Sequence, residues 1–127
     1  MDKQIISTPN APAAIGPYSQ AVKFGNLLFV SGQIPIDPAT GSLVSGGIEA
    51  EATQVMKNVA AILTESGIDF GAVLKATIFI KNMNDFGKIN EVYASHFNGS
   101  YPARETVEVA RLPKDANVEI SVIAALQ

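Results

Sequence analysis

The chain has 127 residues, 47% hydrophobic and 17% charged, a balance that suits one folded domain spanning 1–127 and does not suit a disordered chain. With no Cys and a single His, it cannot build a disulfide framework, a thiolate metal site, a Cys nucleophile or a catalytic triad of the usual kind. Nine Lys and Arg against twelve Asp and Glu leave a charge of −3 without a clustered basic face for nucleic acid, and with no leader-like N-terminus and no apolar run near the roughly 20 residues that cross a bilayer, a cytoplasmic protein is expected.

Pro9 to Pro17 carries three prolines and Gly16 and reads as an irregular arm. Val22 to Phe24 and Leu27 to Ser31 read as two strands around a Gly25-Asn26 turn. Ile34 to Gly47, rich in Gly and Pro, reads as loop with room for one short strand near its start. From Ile48 the period changes. Ile48, Ala52, Val55, Met56, Val59, Ile62 and Leu63 form one helical stripe that Gly67 stops. Val73 to Ile80 then alternates as a half-buried strand, and Phe86, Ile89, Tyr93 and Phe97 mark a second helix, capped by Asn84 or a neighbouring Asn and ended before Gly99.

Arg104 to Arg111 and Val118 to Ala125 read as a closing hairpin. Alternation there turns Val107 and Val109, with Val118, Ile120 and Val122, toward the helices. Arg104, Thr106 and Glu108 go to the opposite side with Glu119, Ser121 and Ile123. The order β-β-α-β-α-β-β describes an α+β sandwich with both helices on one face of a mixed or antiparallel sheet. Ile123, Ala125 and Phe79 on the uncovered face point to a homo-oligomer.

Several residues carry chemistry in one reading and structure in another. Arg104 is either a rim ion-pair partner or a planar fork for a carboxylate. Glu119 is either a solvated strand residue or, once desolvated, a group that orients or deprotonates water. If Val109 faces Ile120, Glu119 faces Ala110, roughly 20 Å along the sheet from Arg104, so only a subunit interface would join the two. Asn90 sits on the apolar stripe of the second helix and needs a partner, in the fold or in a ligand. Ser31-Gly32 closes a strand with a hydroxyl and an approachable N–H, Tyr18 is core anchor or pocket lid, and His96 lies off the stripe as a solvated residue. No close carboxylate cluster, P-loop or dinucleotide fingerprint is present.

Five segments in order then carry a family pattern. Ala13-Ala14-Ile15-Gly16-Pro17-Tyr18-Ser19-Gln20, Phe29-Val30-Ser31-Gly32-Gln33-Ile34-Pro35, Asn84-Asp85-Phe86 with Asn90 and Tyr93, Pro102-Ala103-Arg104, and Val107-Glu108-Val109-Ala110-Arg111-Leu112-Pro113-Lys114-Asp115-Ala116 resemble the RidA/YjgF (L-PSP-type) family of enamine/imine deaminases, in its archetypal branch. The resemblance implies a chorismate-mutase-like α+β fold and a homotrimer whose sheets line a barrel, with sites between subunits. It implies a cofactor-independent, metal-free hydrolase that turns 2-iminobutanoate or 2-iminopropanoate into a 2-oxo acid and ammonia. Arg104 would hold the substrate carboxylate and Glu119 the attacking water; Tyr18, Ser31, Phe86 and Asn90 would line the cleft, with backbone contacts from Gly32 and Thr106. Many relatives carry Cys where this chain has Thr106, after Glu105. The competing functions are a translation inhibitor with endoribonuclease activity, against which the acidic charge and lone His stand, and a non-catalytic sensor of 2-oxo acids.

Overall fold

Residues 2–127 are described by a computed structural model. The hairpin signal around Gly25 folds as read: β2 (Ala21–Phe24) pairs antiparallel with β3 (Leu27–Gln33), and Gly25, at φ 60, takes the corner that a side chain would resist. Ahead of it a short edge strand, β1 (Gln4–Ile6), pairs with β2, an element the sequence reading did not contain. Between β1 and β2 the proline-rich arm has no helix or strand. Buried Gln20 ties the arm down, accepting from the Thr8 amide at 2.6 Å and donating to the carbonyls of Thr8, Ala11 and Pro12. The Gly- and Pro-rich stretch after β3 folds into a small hairpin of β4 (Ile36–Asp37) and β5 (Ser42–Leu43), where one short strand was expected.

Helix α1 (Ile48–Glu65) buries Ala52, Val55, Met56, Val59, Ile62 and Leu63, and ends at Ser66, with Gly67 at φ 76 beyond it. The stripe therefore reads true. Asn58 is the polar exception: it is fully buried, donates to the carbonyls of Ile34 and Ile36 at 3.1 and 2.9 Å, and accepts from Gln54. β6 (Val73–Ile80) follows, then a single 3-10 turn that Asn82 caps by accepting from the Asn84 amide, while the helix after it has Asp85 at its N-cap and no side-chain cap, where Asn84 or a neighbouring Asn was expected. Helix α2 (Phe86–Ala94) buries Ile89 and Tyr93 against α1, and both helices lie over one face of the sheet.

The end of the chain departs from the expected hairpin. β7 (Ala103–Glu108) runs parallel to β6, and β8 (Val118–Ala125) lies between β3 and β6, giving the mixed order β1-β2-β3-β8-β6-β7. β6, α2 and β7 form a crossover unit with parallel strands, and because both edges of β8 are taken, by β3 and β6, β7 cannot also pair with it. Glu119 faces Phe79, not Ala110. The faces of β7 are reversed as well: Arg104, Thr106 and Glu108 are in register with core residues Ala76, Ile78 and Ile80, so they face the helix side, and Val107 turns away. Ile123, Ala125 and Phe79 do alternate onto the face that no helix covers, beside Phe29. Among the described residues no helix is long and apolar enough to cross a membrane.

Candidate active site

Two groups of polar residues gather around this sheet, one on each face. On the helix side, Arg104 leaves β7 beneath α2, where Asn90 and Tyr93 stand three residues apart on one face of the helix. Its Nη1 donates to Asn90 Oδ1 at 2.6 Å, and its guanidinium carbon lies 5.1 Å from the Tyr93 ring centre and 5.6 Å from that of Phe86. Stacking of this kind contributes roughly 0.5–2 kcal/mol and fixes the plane of the fork. Among the described residues no carboxylate pairs with Arg104. Burial pushes the Tyr93 phenol up, and the Arg104 charge draws it part of the way back. Thr106 shares this face, and its hydroxyl, like that of Tyr93, is buried without a hydrogen-bond partner. A cleft of about 510 Å³ opens here between Asn90, Tyr93, Ala94, Tyr101, Pro102 and Arg104.

On the other side, Glu119 projects from β8 between core residues Val118 and Ile120 and is half-buried. Desolvation holds its carboxyl above the usual carboxylate range. It lies against Gly32, in a cavity of about 580 Å³ that Tyr18, Ser31, Ile34, Pro113 and Lys114 also line. Ser31 is fixed by donating its hydroxyl to the Ser19 carbonyl at 2.6 Å, which joins β3 to the arm bearing Tyr18. Tyr18 itself is 52% exposed, so it is a wall of this cavity and not a core anchor. Lys114 and Asp115 both take φ 56 in the turn before β8. That conformation costs roughly 1–2 kcal/mol per non-glycine residue, and the Arg111–Asp115 contact at 2.9 Å braces it.

The candidate residues thus divide. Arg104, Phe86, Asn90 and Thr106 meet on the helix side; Tyr18, Ser31, Gly32 and Glu119 meet on the other. Following the register from Arg104 through Ala76 to Val122, Glu119 lies two strands over and three residues along, roughly 14 Å between Cα atoms. Opposite faces separate the groups further, so one chain does not bring Arg104 and Glu119 together. Tyr93, Tyr101 and Lys114 are site residues that the sequence reading did not assign. The signals were Tyr93's place one turn beyond Asn90 on the same stripe and in the matched pattern, Lys114's place inside the matched segment Val107 to Ala116, and, for Tyr101, only its position next to Pro102-Ala103-Arg104. His96 stays outside both groups, its Nδ1 2.9 Å from the Val92 carbonyl and its ring against Phe70.

The likeness to known proteins covers nearly all of the chain. The sequence profile of the family described as Endoribonuclease L-PSP matches residues 8–126. A RutC family protein of Pyrococcus horikoshii is 56% identical over 96% of this chain and 97% of its own length. The 2-iminobutanoate/2-iminopropanoate deaminase of Mus musculus is 50% identical over 96% of this chain and 90% of its own. In three dimensions, YyfA of the conserved Rid protein family from Yersinia pestis superposes with a TM-score of 0.95 at 52% identity, covering 98% of this chain and 99% of that one. With the same two-helix sheet sandwich and a family match from the arm to the last strand, this chain belongs to the RidA/YjgF, or L-PSP, family.

Proposed function

We propose that the protein hydrolyses 2-imino acids, with 2-iminobutanoate and 2-iminopropanoate as the substrate class, to 2-oxo acids and ammonia, without a cofactor, in clefts between the subunits of a homotrimer. The observation that carries this reading is Arg104. Asn90, Tyr93 and Phe86 hold its guanidinium from three sides, and Nε and Nη2 remain to grip both oxygens of a carboxylate. A carboxylate fixed there presents its adjacent C=N carbon to water. Glu119, supplied by a neighbouring copy, accepts a proton from that water as its oxygen adds to the carbon. That proton passes from Glu119 to the imine nitrogen, giving the carbinolamine, which expels ammonia as its hydroxyl gives its proton to the departing nitrogen and its oxygen becomes the new carbonyl. Since imines already hydrolyse in water, orientation and a placed base are sufficient assistance. The desolvation of Glu119 raises its affinity for that proton and so suits it to the task.

The assembly rests on two supports. Arg104 and Glu119 lie on opposite faces of one chain, and the uncovered face carries Phe29 and Val107, each 43% exposed, which a second and third copy would bury. The test is 2-oxo acid formation from an imine generated in place by an amino-acid oxidase, with semicarbazide as competing trap. Wild type diverts the imine, and Arg104→Ala loses at least roughly 100-fold in kcat/KM while keeping its oligomeric state. No diversion by wild type across several amino-acid imines would leave the cleft as a ligand-sensing site. The family description keeps ribonuclease activity as a second reading. It requires RNA cleavage that survives removal of contaminating nuclease and changes with substitutions in this chain.

A further inference from the structure

We infer that Gly32 is a positioning residue for Glu119: the carboxylate occupies the volume in which any side chain at position 32 would begin. A β-carbon built on Gly32 would overlap Glu119 Oε2 and come within 2.8 Å of its Cδ and 2.9 Å of its Cγ, closer than bonded neighbours aside any carbon approaches another. The backbone does not demand glycine here, because the φ of Gly32 lies outside the left-handed region. Space does. The slot is made by a bulge: Val30 pairs with Val122 and Gln33 with Ile120, so Ser31 and Gly32 together face Ser121, and this extra residue turns Gly32 toward Glu119. The missing side chain lets the carboxylate fold down against the strand, out of water, where its charge is costly and its affinity for a proton rises. β6 presents Phe79 opposite Glu119, and Lys114 is the other charged residue lining the cavity.

The role differs from the backbone contact that family resemblance implies for Gly32, and it separates activity from folding. The atoms a methyl group would meet belong to the mobile outer part of Glu119, and the cavity beside them has room to receive it. Gly32→Ala therefore displaces the carboxylate and leaves the sheet in place. The effect on rate rests on the deaminase reading; the effect on Glu119 does not.

The experiment compares wild type, Gly32→Ala, Glu119→Gln and the double variant. In the coupled imine assay Gly32→Ala should lose roughly 100-fold in kcat with KM within about threefold, and melt within about 3 °C of wild type. The double variant should be no slower than Glu119→Gln alone, because both changes remove the same placed carboxylate. In the same proteins, carbon NMR of the Glu119 carboxyl should show its titration moving down toward the ordinary carboxylate range in Gly32→Ala. Wild-type kcat in Gly32→Ala, or a double variant whose losses multiply, would overturn the inference. If wild type turns over no imine, the deaminase reading fails, and the carboxyl titration alone decides: an unmoved titration in Gly32→Ala overturns the placement.

Discussion

Glu119 is a residue whose usefulness and whose cost share one cause. Burial raises the proton affinity of its carboxyl in the folded chain above that in the unfolded chain. By linkage, the native state is favoured below the ordinary carboxylate range and loses that advantage as pH rises through the raised native value. Glu119→Gln removes the buried charge but keeps the shape. Thermal melts should therefore place the variant above wild type at about pH 8, with the gap closing at about pH 4, where the wild-type carboxyl is protonated; a gap that widens toward acid would contradict the sign. Arg104 shows the complementary economy. Its charge is stacked and hydrogen-bonded to neutral groups and left without a carboxylate partner in the described chain, so its pull on an anion is not spent internally.

At the scale of elements, the cavity walls depend on α1 through Asn58, which ties down the strand exit between β3 and β4. Asn58→Ala would leave the Ile34 and Ile36 carbonyls without their buried donor and should cost about 2 kcal/mol in urea unfolding. A loss below about 0.5 kcal/mol would mean that the loop stands without the helix. The helices and the first hairpin were readable because their signals are local: a 3.6-residue stripe for α1, a two-residue turn at Gly25. β7 was not readable, for two physical reasons. Its pairing is decided by the crossover through α2, while closeness in sequence to β8 suggested a hairpin. Its faces are then inverted, because the helix side at this sheet edge is a polar cleft around Arg104, whereas the outward side carries the apolar Val107. The rule of apolar in and polar out fails where a strand borders a site. Arg104 and Glu119 were thus legible as residue types, and their separation was expected, yet the register that separates them came only with the fold.

At the scale of the molecule, opposite faces leave each chain with two separate groups of candidate residues. If neighbouring copies complete them, Arg104→Ala and Glu119→Gln, each inactive alone, should recover activity when co-expressed, since some interfaces then join an intact Arg104 to an intact Glu119. Random mixing restores roughly a quarter of the sites. Persistent inactivity in mixed oligomers verified by mass spectrometry would mean that Arg104 and Glu119 of neighbouring copies do not complete one site.

The position of β8 bears on how the chain comes to exist at all. It is the last strand in the chain yet central in the sheet, pairing with β3 on one side and β6 on the other, and among the described residues no other strand bridges the two halves. During synthesis, β1 to β3 and then β6 with β7 emerge before the strand that joins them, each set with a bare edge facing water. They are joined only when residues 118–125 emerge. A message truncated before Val118 therefore yields two unsealed sheet edges and a cavity wall of Tyr18, Ser31 and Gly32 without Glu119, a product for proteases and aggregates to claim.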